Sequence, residues 1–236
     1  MAPRIDTIRS GAPRMLIVSN VYLVRDEGAI LVDGGMPGDA GSILRALAAL
    51  GVRPEEIRLI VITHGHVDHA GSAAALSAAT GAPIALHQDD ARWLDQGKDV
   101  PVVPVTGWAR LIAWYSGLGP VRRRFPMRPF SAAVRLGGTD VPLEQYGIPG
   151  RVVHTPGHTM GSASVVLDDG SALVGDAALS GFPSLSRRPS LPMFAEDLSL
   201  LAATWRSLLK MGVSTVYPAH GPSFPAEAMR RYGGGP

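Results

Sequence analysis

The chain has 236 residues, 46% of them hydrophobic and 18% charged, which suits a globular protein with a sizeable core and excludes a disordered one. Its 22 basic and 20 acidic side chains leave a formal charge of +2, too balanced to argue for nucleic-acid binding. Cysteine is absent, which excludes disulfides, a cysteine nucleophile and thiolate metal ligands. The opening stretch "MAPRIDTIRSGAPRML" lacks the basic-then-apolar pattern of a secretory signal, and no apolar run reaches the roughly 18 residues of a membrane span. A soluble cytoplasmic protein is the expectation.

In chain order, "MLIVSNVYLV" and "AILVDGG" read as two strands joined by the turn "RDEG". "GDAGSILRALAALG" places Ile43, Leu44, Leu47 and Leu50 at helical spacing and ends at Gly51, a good terminator. "IRLIVIT" is a short continuous apolar run, the mark of a strand buried on both faces. "AGSAAALSAATG" predicts a small-residue helix closed by Gly81, "PIALH" a strand, and "QDDARWLDQG" a helix. Residues 99 to about 135, rich in proline, aromatics and arginine, break this rhythm and read as an insertion or lid. "RVVHTP", "SASVVLDD" and "SALVGDA" are further strands, and "SGFPSLSRRPSLPMF" is a long loop. "AEDLSLLAATWRSLLKMG" is an amphipathic helix ending at Gly212; "STVYPAHG" is a last strand and "PAEAMRR" a short terminal helix. The alternation argues for an α/β layered domain spanning residues 1–236, with its site at the carboxyl ends of the strands.

"VITHGHVDHAG", residues 61 to 71, places His64, His66, Asp68 and His69 within six positions. Four more pieces each follow a predicted strand: "LVDGG" with Asp33, "TPGHTMGS" with His158, "VGDA" with Asp176 and "YPAHG" with His220. Strands deliver such loops to one edge, so distant residues can converge. Imidazoles and carboxylates are the ligands zinc takes, and catalytic sites leave a position open for water. His64 and His66, two apart in an extended segment, point to one side and can grip one ion. Asp68 and His69 can address a second ion close by. Two cations need a shared anionic ligand, for which Asp176 is suitably typed, and a water held between them is acidified towards hydroxide. The plain alternative is a solvated polar loop in which Asp68 favours a first helical turn. It leaves the downstream motifs unexplained. The "DGG" of Asp33 reads as structural support rather than a ligand.

The motif His64-Gly-His66-Val-Asp68-His69 resembles the HxHxDH signature of the metallo-β-lactamase superfamily, and all five pieces stand in the superfamily's order over nearly the whole chain. The resemblance implies an αββα four-layer sandwich with two metals at one edge. His64, His66 and His158 would hold the first metal, and Asp68, His69 and His220 the second. Asp176 would bridge them, and Asp33 would support the site from behind. The β-lactamases of the superfamily mostly carry cysteine or serine at the position of Asp176, whereas thioesterases, lactonases and nucleases carry aspartate. The nucleases add a large domain or arm that has no room here.

The implied function is metal-dependent hydrolysis of a thioester, lactone or ester, with two Zn2+ per chain (Fe2+ or Mn2+ as alternatives) and Asp68 steering the proton. An alternative is persulfide dioxygenase-like chemistry on one iron, and a third reading is a non-catalytic metal-binding protein. The expected partner is a small-molecule substrate, with no nucleic acid and no membrane; the oligomeric state is open, a homodimer being one option. Outside the ligand pattern, His87 reads as a surface or capping residue and His154 as a hydrogen-bonded core residue. Tyr217 reads as packing. Tyr115, a substrate contact on a minority reading, lies in the lid with the packing residues Trp108, Trp114, Phe125 and Phe130. Arg122, Arg123, Arg124 and Arg128 read as a solvated face.

Overall fold

Period-two alternation decides the layers. In β2 (Ser19–Arg25), Val21 and Leu23 enter one hydrophobic cluster while Tyr22 and Val24 enter another. The same split sends Leu31 of β3 (Ala29–Val32) and Ile60 of β4 (Ile57–Val61) outward, and Ile30, Val32, Leu59 and Val61 inward. Strands apolar on both faces must be covered on both, here by helices on one face and by a second sheet on the other.

These features come from a computed structural model that describes residues 2–11, 18–105, 110, 127–180 and 189–230. The first sheet has the order β1-β2-β3-β4-β5-β6, with β1 Arg4–Ser10, β5 Ile84–His87 and β6 Val134–Leu136. β1, β2 and β3 run antiparallel; β3 to β6 run parallel. Its outer face is covered by α1 (Ala40–Ala49), a single turn α2 (Val67–Ala70), α3 (Ala73–Thr80) and α4 (Gln88–Leu94), through Ile43, Leu47, Leu76 and Leu94.

The second sheet has the order β14-β13-β10-β9-β8-β7: β7 Val141–Pro142, β8 Gly150–His154, β9 Ala163–Leu167, β10 Ser171–Gly175, β13 Thr215–Pro218 and β14 Phe224–Pro225. Val152, Val165, Leu167 and Leu173 meet the inner face of the first sheet. On the other side Val153, Val166, Val174 and Val216 pack with Leu201, Trp205 and Leu208 of α5 (Leu198–Lys210). Asp197 caps α5 by accepting from the amides of Ser199 and Leu200 at 2.8 and 3.0 Å. The α/β layered domain read from the alternation, and the four-layer sandwich that the resemblance implies, are the observed architecture.

Several expectations change. The N-terminal stretch forms the edge strand β1, which its two isoleucines, Ile5 and Ile8, announce only faintly. Val134 and Arg135 belong to β6 and pair with Ala85 and Leu86, so the expected insertion ends inside the scaffold. Residues 106–109 and 111–126, with Trp108, Trp114, Tyr115, Arg122, Arg123, Arg124 and Phe125, lie outside the described residues, as do 12–17, 181–188 and 231–236. Phe130 packs against the core beside α4, and Arg128 is exposed. The stretch read as a long loop takes part in a small strand pair, β11 (Leu179–Ser180) against β12 (Pro189–Ser190). The short terminal helix is a 3-10 turn, Ala226–Met229. Among the described residues no helix is long and apolar enough to cross a membrane.

Candidate metal centre

Five loops at the carboxyl ends of β3, β4, β8, β10 and β13 meet at one edge of the sandwich. β4 runs out through Thr63 to His64, and the chain stays extended to His66 (φ −72°, ψ 154°) before α2 begins. α2 then turns Asp68 and His69 back towards the same edge. Nε2 of His64, Nδ1 of His66 and Nε2 of His158 form a triangle with sides of 3.0, 3.1 and 3.1 Å. Beside it, Nε2 of His220 lies 3.2 Å from Oδ2 of Asp68 and 3.4 Å from Oδ1 of Asp176. Nε2 of His69 lies 3.5 Å from Oδ2 of Asp68 and 3.6 Å from Oδ1 of Asp176. The other oxygen of Asp176, Oδ2, is 3.7 Å from Nε2 of His158. One carboxylate thus faces both groups.

The outward nitrogens of His64, His69, His158 and His220 are committed as donors, so a neutral ring at any of these positions carries its lone pair inward. His158 Nδ1 donates to the carbonyl of Phe194 at 2.8 Å, and His220 Nδ1 to that of Val18 at 2.8 Å. His69 Nδ1 donates to Asp33 Oδ2 at 2.9 Å. Thr63 Oγ1 gives its own proton to Asp33, so at 3.2 Å it can only accept from His64 Nδ1. Nε2 of His64 and Nε2 of His158 therefore confront each other with no proton between them. Nε2 of His69 and Oδ1 of Asp176 are buried without a hydrogen-bond partner. Lone pairs converging in a buried space call for a cation.

The charge balance agrees. Burial, reinforced by neighbouring rings, holds His64 well below its usual value; burial and His158 push His66 down to about 3. Burial lowers His158 as well, against the pull of Asp176. These three rings are neutral, as ligands must be. Burial opposes charge on His69 and His220 too, but there the carboxylates win. Asp68, Asp33 and Asp176 raise His69 to about 9, and Asp176 and Asp68 lift His220 well above its usual range. Burial would raise Asp68 and Asp176, yet the adjacent His69 and His220 bring both below the carboxylate range. His64, His69 and His158 are buried, whereas Asp68, Asp176 and His220 are partly exposed, so the carboxylate side faces the solvent.

A family model described as the metallo-β-lactamase superfamily matches residues 15–220, most of the chain. The chain belongs to the metallo-β-lactamase superfamily. Among curated relatives, a probable metallo-hydrolase of Methanocaldococcus jannaschii is 26% identical over 86% of this chain and 87% of the relative. Another, from Bacillus subtilis, is 28% identical over 69% of this chain and 62% of the relative. A hydroxyacylglutathione hydrolase of Albidiferax ferrireducens is 32% identical, but over 59% of this chain and only 38% of the relative. Among solved structures, TTHA1623 in a di-iron-bound form superposes with a TM-score of 0.65 at 27% identity, covering 96% of this chain and 97% of that one.

Within this metallo-β-lactamase fold, all seven residues expected as ligands lie in the cluster, and Asp33 lies directly behind it. Asp33 accepts from the amide of Thr63 at 2.8 Å, from Thr63 Oγ1 at 2.9 Å and from His69 Nδ1. Among the described residues it alone, apart from glycines, has positive φ (69°), a conformation aspartate tolerates better than most. His87 is the capping residue expected and His154 is hydrogen-bonded as expected, but their burial differs from expectation, since His87 is buried and His154 is not. His87 is buried and caps α4, its Nδ1 accepting from the amide of Asp89 at 3.3 Å. His154 is exposed and stacks on His87 with ring centroids 4.1 Å apart, its Nε2 donating to the carbonyl of Met160. Both end their strands at the rim between the sheets, where the inward face is already open for His154. Tyr217 packs edge-on against Tyr22, as expected.

Four supporting residues escape a reading of motifs. Thr63 links Asp33 to His64. Asn20 anchors the His220 loop, donating from Nδ2 to the carbonyls of Pro218 at 3.1 Å and Gly221 at 2.9 Å. Asp90 and Thr159 join two loops to each other. Asn20 left a signal, a polar side chain inside the apolar run "VSNVYLV". Asp90 left none beyond its place after a strand.

Proposed function

We propose that the protein is a dinuclear metal-dependent hydrolase of an ester-like bond in a small molecule: a thioester, lactone or ester. The observation that carries this reading is the paired donor set. Three neutral imidazole nitrogens lie within 3.1 Å of one another, next to a carboxylate-rich group with Asp176 facing both. His64, His66 and His158 would hold one ion, and Asp68, His69 and His220 the other, with Asp176 between them. Zinc is our choice of metal; the same donors accept iron and manganese, and the di-iron-bound neighbour is in keeping with that. When bound, two such ions supply Lewis acidity, acidifying a water and polarising a carbonyl.

The protein's own residues do the rest. Asp33, Phe194 and Val18 hold Nδ1 of His69, His158 and His220 as donors, so that Nε2 of each ring faces inward and, once free of its proton, offers a lone pair. Asp68, on the solvent side and in contact with His220, would hold and steer a proton at this edge of the site. The aspartate at position 176, in place of cysteine or serine, and the hydroxyacylglutathione hydrolase relative both favour acyl hydrolysis over antibiotic hydrolysis.

The test is a panel of thioesters, lactones and simple esters, assayed on the protein as purified, after chelation, and after restoring zinc, iron or manganese. Turnover of an acyl substrate that disappears with chelation and returns with metal is expected. Oxygen consumption with a persulfide, and no acyl turnover, would replace the reading.

A further inference from the structure

The three-histidine group draws on both halves of the sandwich. His64 and His66 follow β4 of the first sheet, and His158 follows β8 of the second. Its triangle therefore depends on how the two loops are held to each other. Asp90, at the start of α4 on the first half, lies between them. Its Oδ2 accepts from the amide of Gly65, the residue between His64 and His66, at 2.8 Å, and from Thr159 Oγ1, beside His158, at 2.9 Å. Its Oδ1 accepts from the amide of Gly161 at 3.1 Å. Ser162 completes the join, its Oγ accepting from the amide of Thr159 at 3.0 Å.

The glycines show how closely the pieces are drawn together. A Cβ on Gly161 would run into the Asp90 carboxylate, and one on Gly65 would come within 2.5 Å of Leu94 and Val100. Asp90 itself is 2% exposed, so its charge is out of water, and that burial pushes its carboxyl up to about 6 against the pull of its donors. A buried carboxylate is a poor way to gain stability. Its geometry accounts for it better.

We propose that Asp90 is a positioning residue of the metal centre, which fastens the His64–His66 loop to the His158 loop and so sets the spacing of the three-histidine group. This rests on the reading of that group as a metal site. It does not extend to Asp68 and His220, since the His220 loop is anchored by Asn20.

The test titrates the full-length chain with Co2+, following its visible absorption. Asp90→Asn, Thr159→Val and Thr159→Ser are compared with His158→Ala and His220→Ala, which remove one group each. Asp90→Asn keeps the shape but sets an NH2 against a donor. Its affinity should fall about 10- to 100-fold at the group lost in His158→Ala and stay unchanged at the group lost in His220→Ala. Thr159→Val should show a smaller loss of the same kind, which Thr159→Ser restores. Wild-type affinity in Asp90→Asn, or equal loss at both groups, would overturn the proposal. If Asp90→Asn does not fold, the two Thr159 variants decide, and equal affinities in that pair overturn it. Hydrogen exchange of the Gly65 and Gly161 amides in metal-free protein separates this inference from the metal assignment. Faster exchange in the variants supports the tie, and unchanged exchange rejects it, even if wild type takes up no cobalt and the dinuclear reading falls.

Discussion

Replacing Asp33 should separate folding from metal binding. In Asp33→Ala the amide of Thr63 and Nδ1 of His69 lose their acceptor in a fully buried place, while the Thr63 hydroxyl can rotate. Two stranded donors at about 1–3 kcal/mol each, plus about 1 kcal/mol for alanine at φ 69°, give a loss of about 3–7 kcal/mol. Ordinary domains have about 5–15 kcal/mol in all, so Asp33→Ala should be largely unfolded or close to it. Asp33→Asn is different. Its carbonyl can still serve both donors of Thr63, and its NH2 then faces His69 Nδ1. That forces the other tautomer on His69 and puts a proton on the nitrogen meant for metal. This variant should keep most of its stability and lose about 10- to 100-fold in metal affinity. Urea unfolding in chelator reads the first quantity, and metal competition with a chromogenic chelator reads the second. An Asp33→Ala protein as stable as wild type, or an Asp33→Asn protein with wild-type metal affinity, would refute the reasoning.

Other perturbations follow from the same structure. Trp205 is fully buried, and its Nε1 donates to the carbonyl of Ala177, next to Asp176, at 2.6 Å. Trp205→Ala should cost about 3–5 kcal/mol in urea unfolding, and a loss below 1 kcal/mol would contradict this packing. At Gly221, φ is 96° and a Cβ would overlap the Ser180 carbonyl. Gly221→Ala should thus displace the His220 loop and lower metal content to about one ion per chain, where two retained ions would argue against it. Asp90 makes stability fall with rising pH. Its carboxyl titrates near 6 in the fold against 3.8 when unperturbed, so its favourable contribution is complete below pH 3.8 and is lost as pH rises through 6. The stability of wild type relative to Asp90→Asn should decline by about 3 kcal/mol across that window and then level off. A difference that is flat or rises with pH would count against the burial argument.

The site was more legible in the sequence than the scaffold. His64, His66, Asp68, His69, His158, Asp176 and His220 sit in short motifs after strands, and strand ends in a layered α/β fold converge whatever the intervening lengths. What the motifs could not supply is the set of contacts behind them. Asp90 meets Gly65, Thr159 and Gly161 across 25 to 71 residues, and pairings of that kind leave no local pattern. The missed strands have the same cause. β1 has two isoleucines among polar residues, and β7 and β14 contain two residues each. Edge strands need little hydrophobicity, because one neighbour and one covered face suffice. That His87 is buried and His154 exposed depends on what packs over each ring at the end of its strand, a tertiary fact.

The most direct test of the dinuclear centre is elemental analysis of wild type and His158→Ala, both purified without added metal or chelator. The paired donor groups predict about two ions per chain in wild type and about one in His158→Ala. Wild type with no stoichiometric metal, or the same metal content in both proteins, would contradict the account.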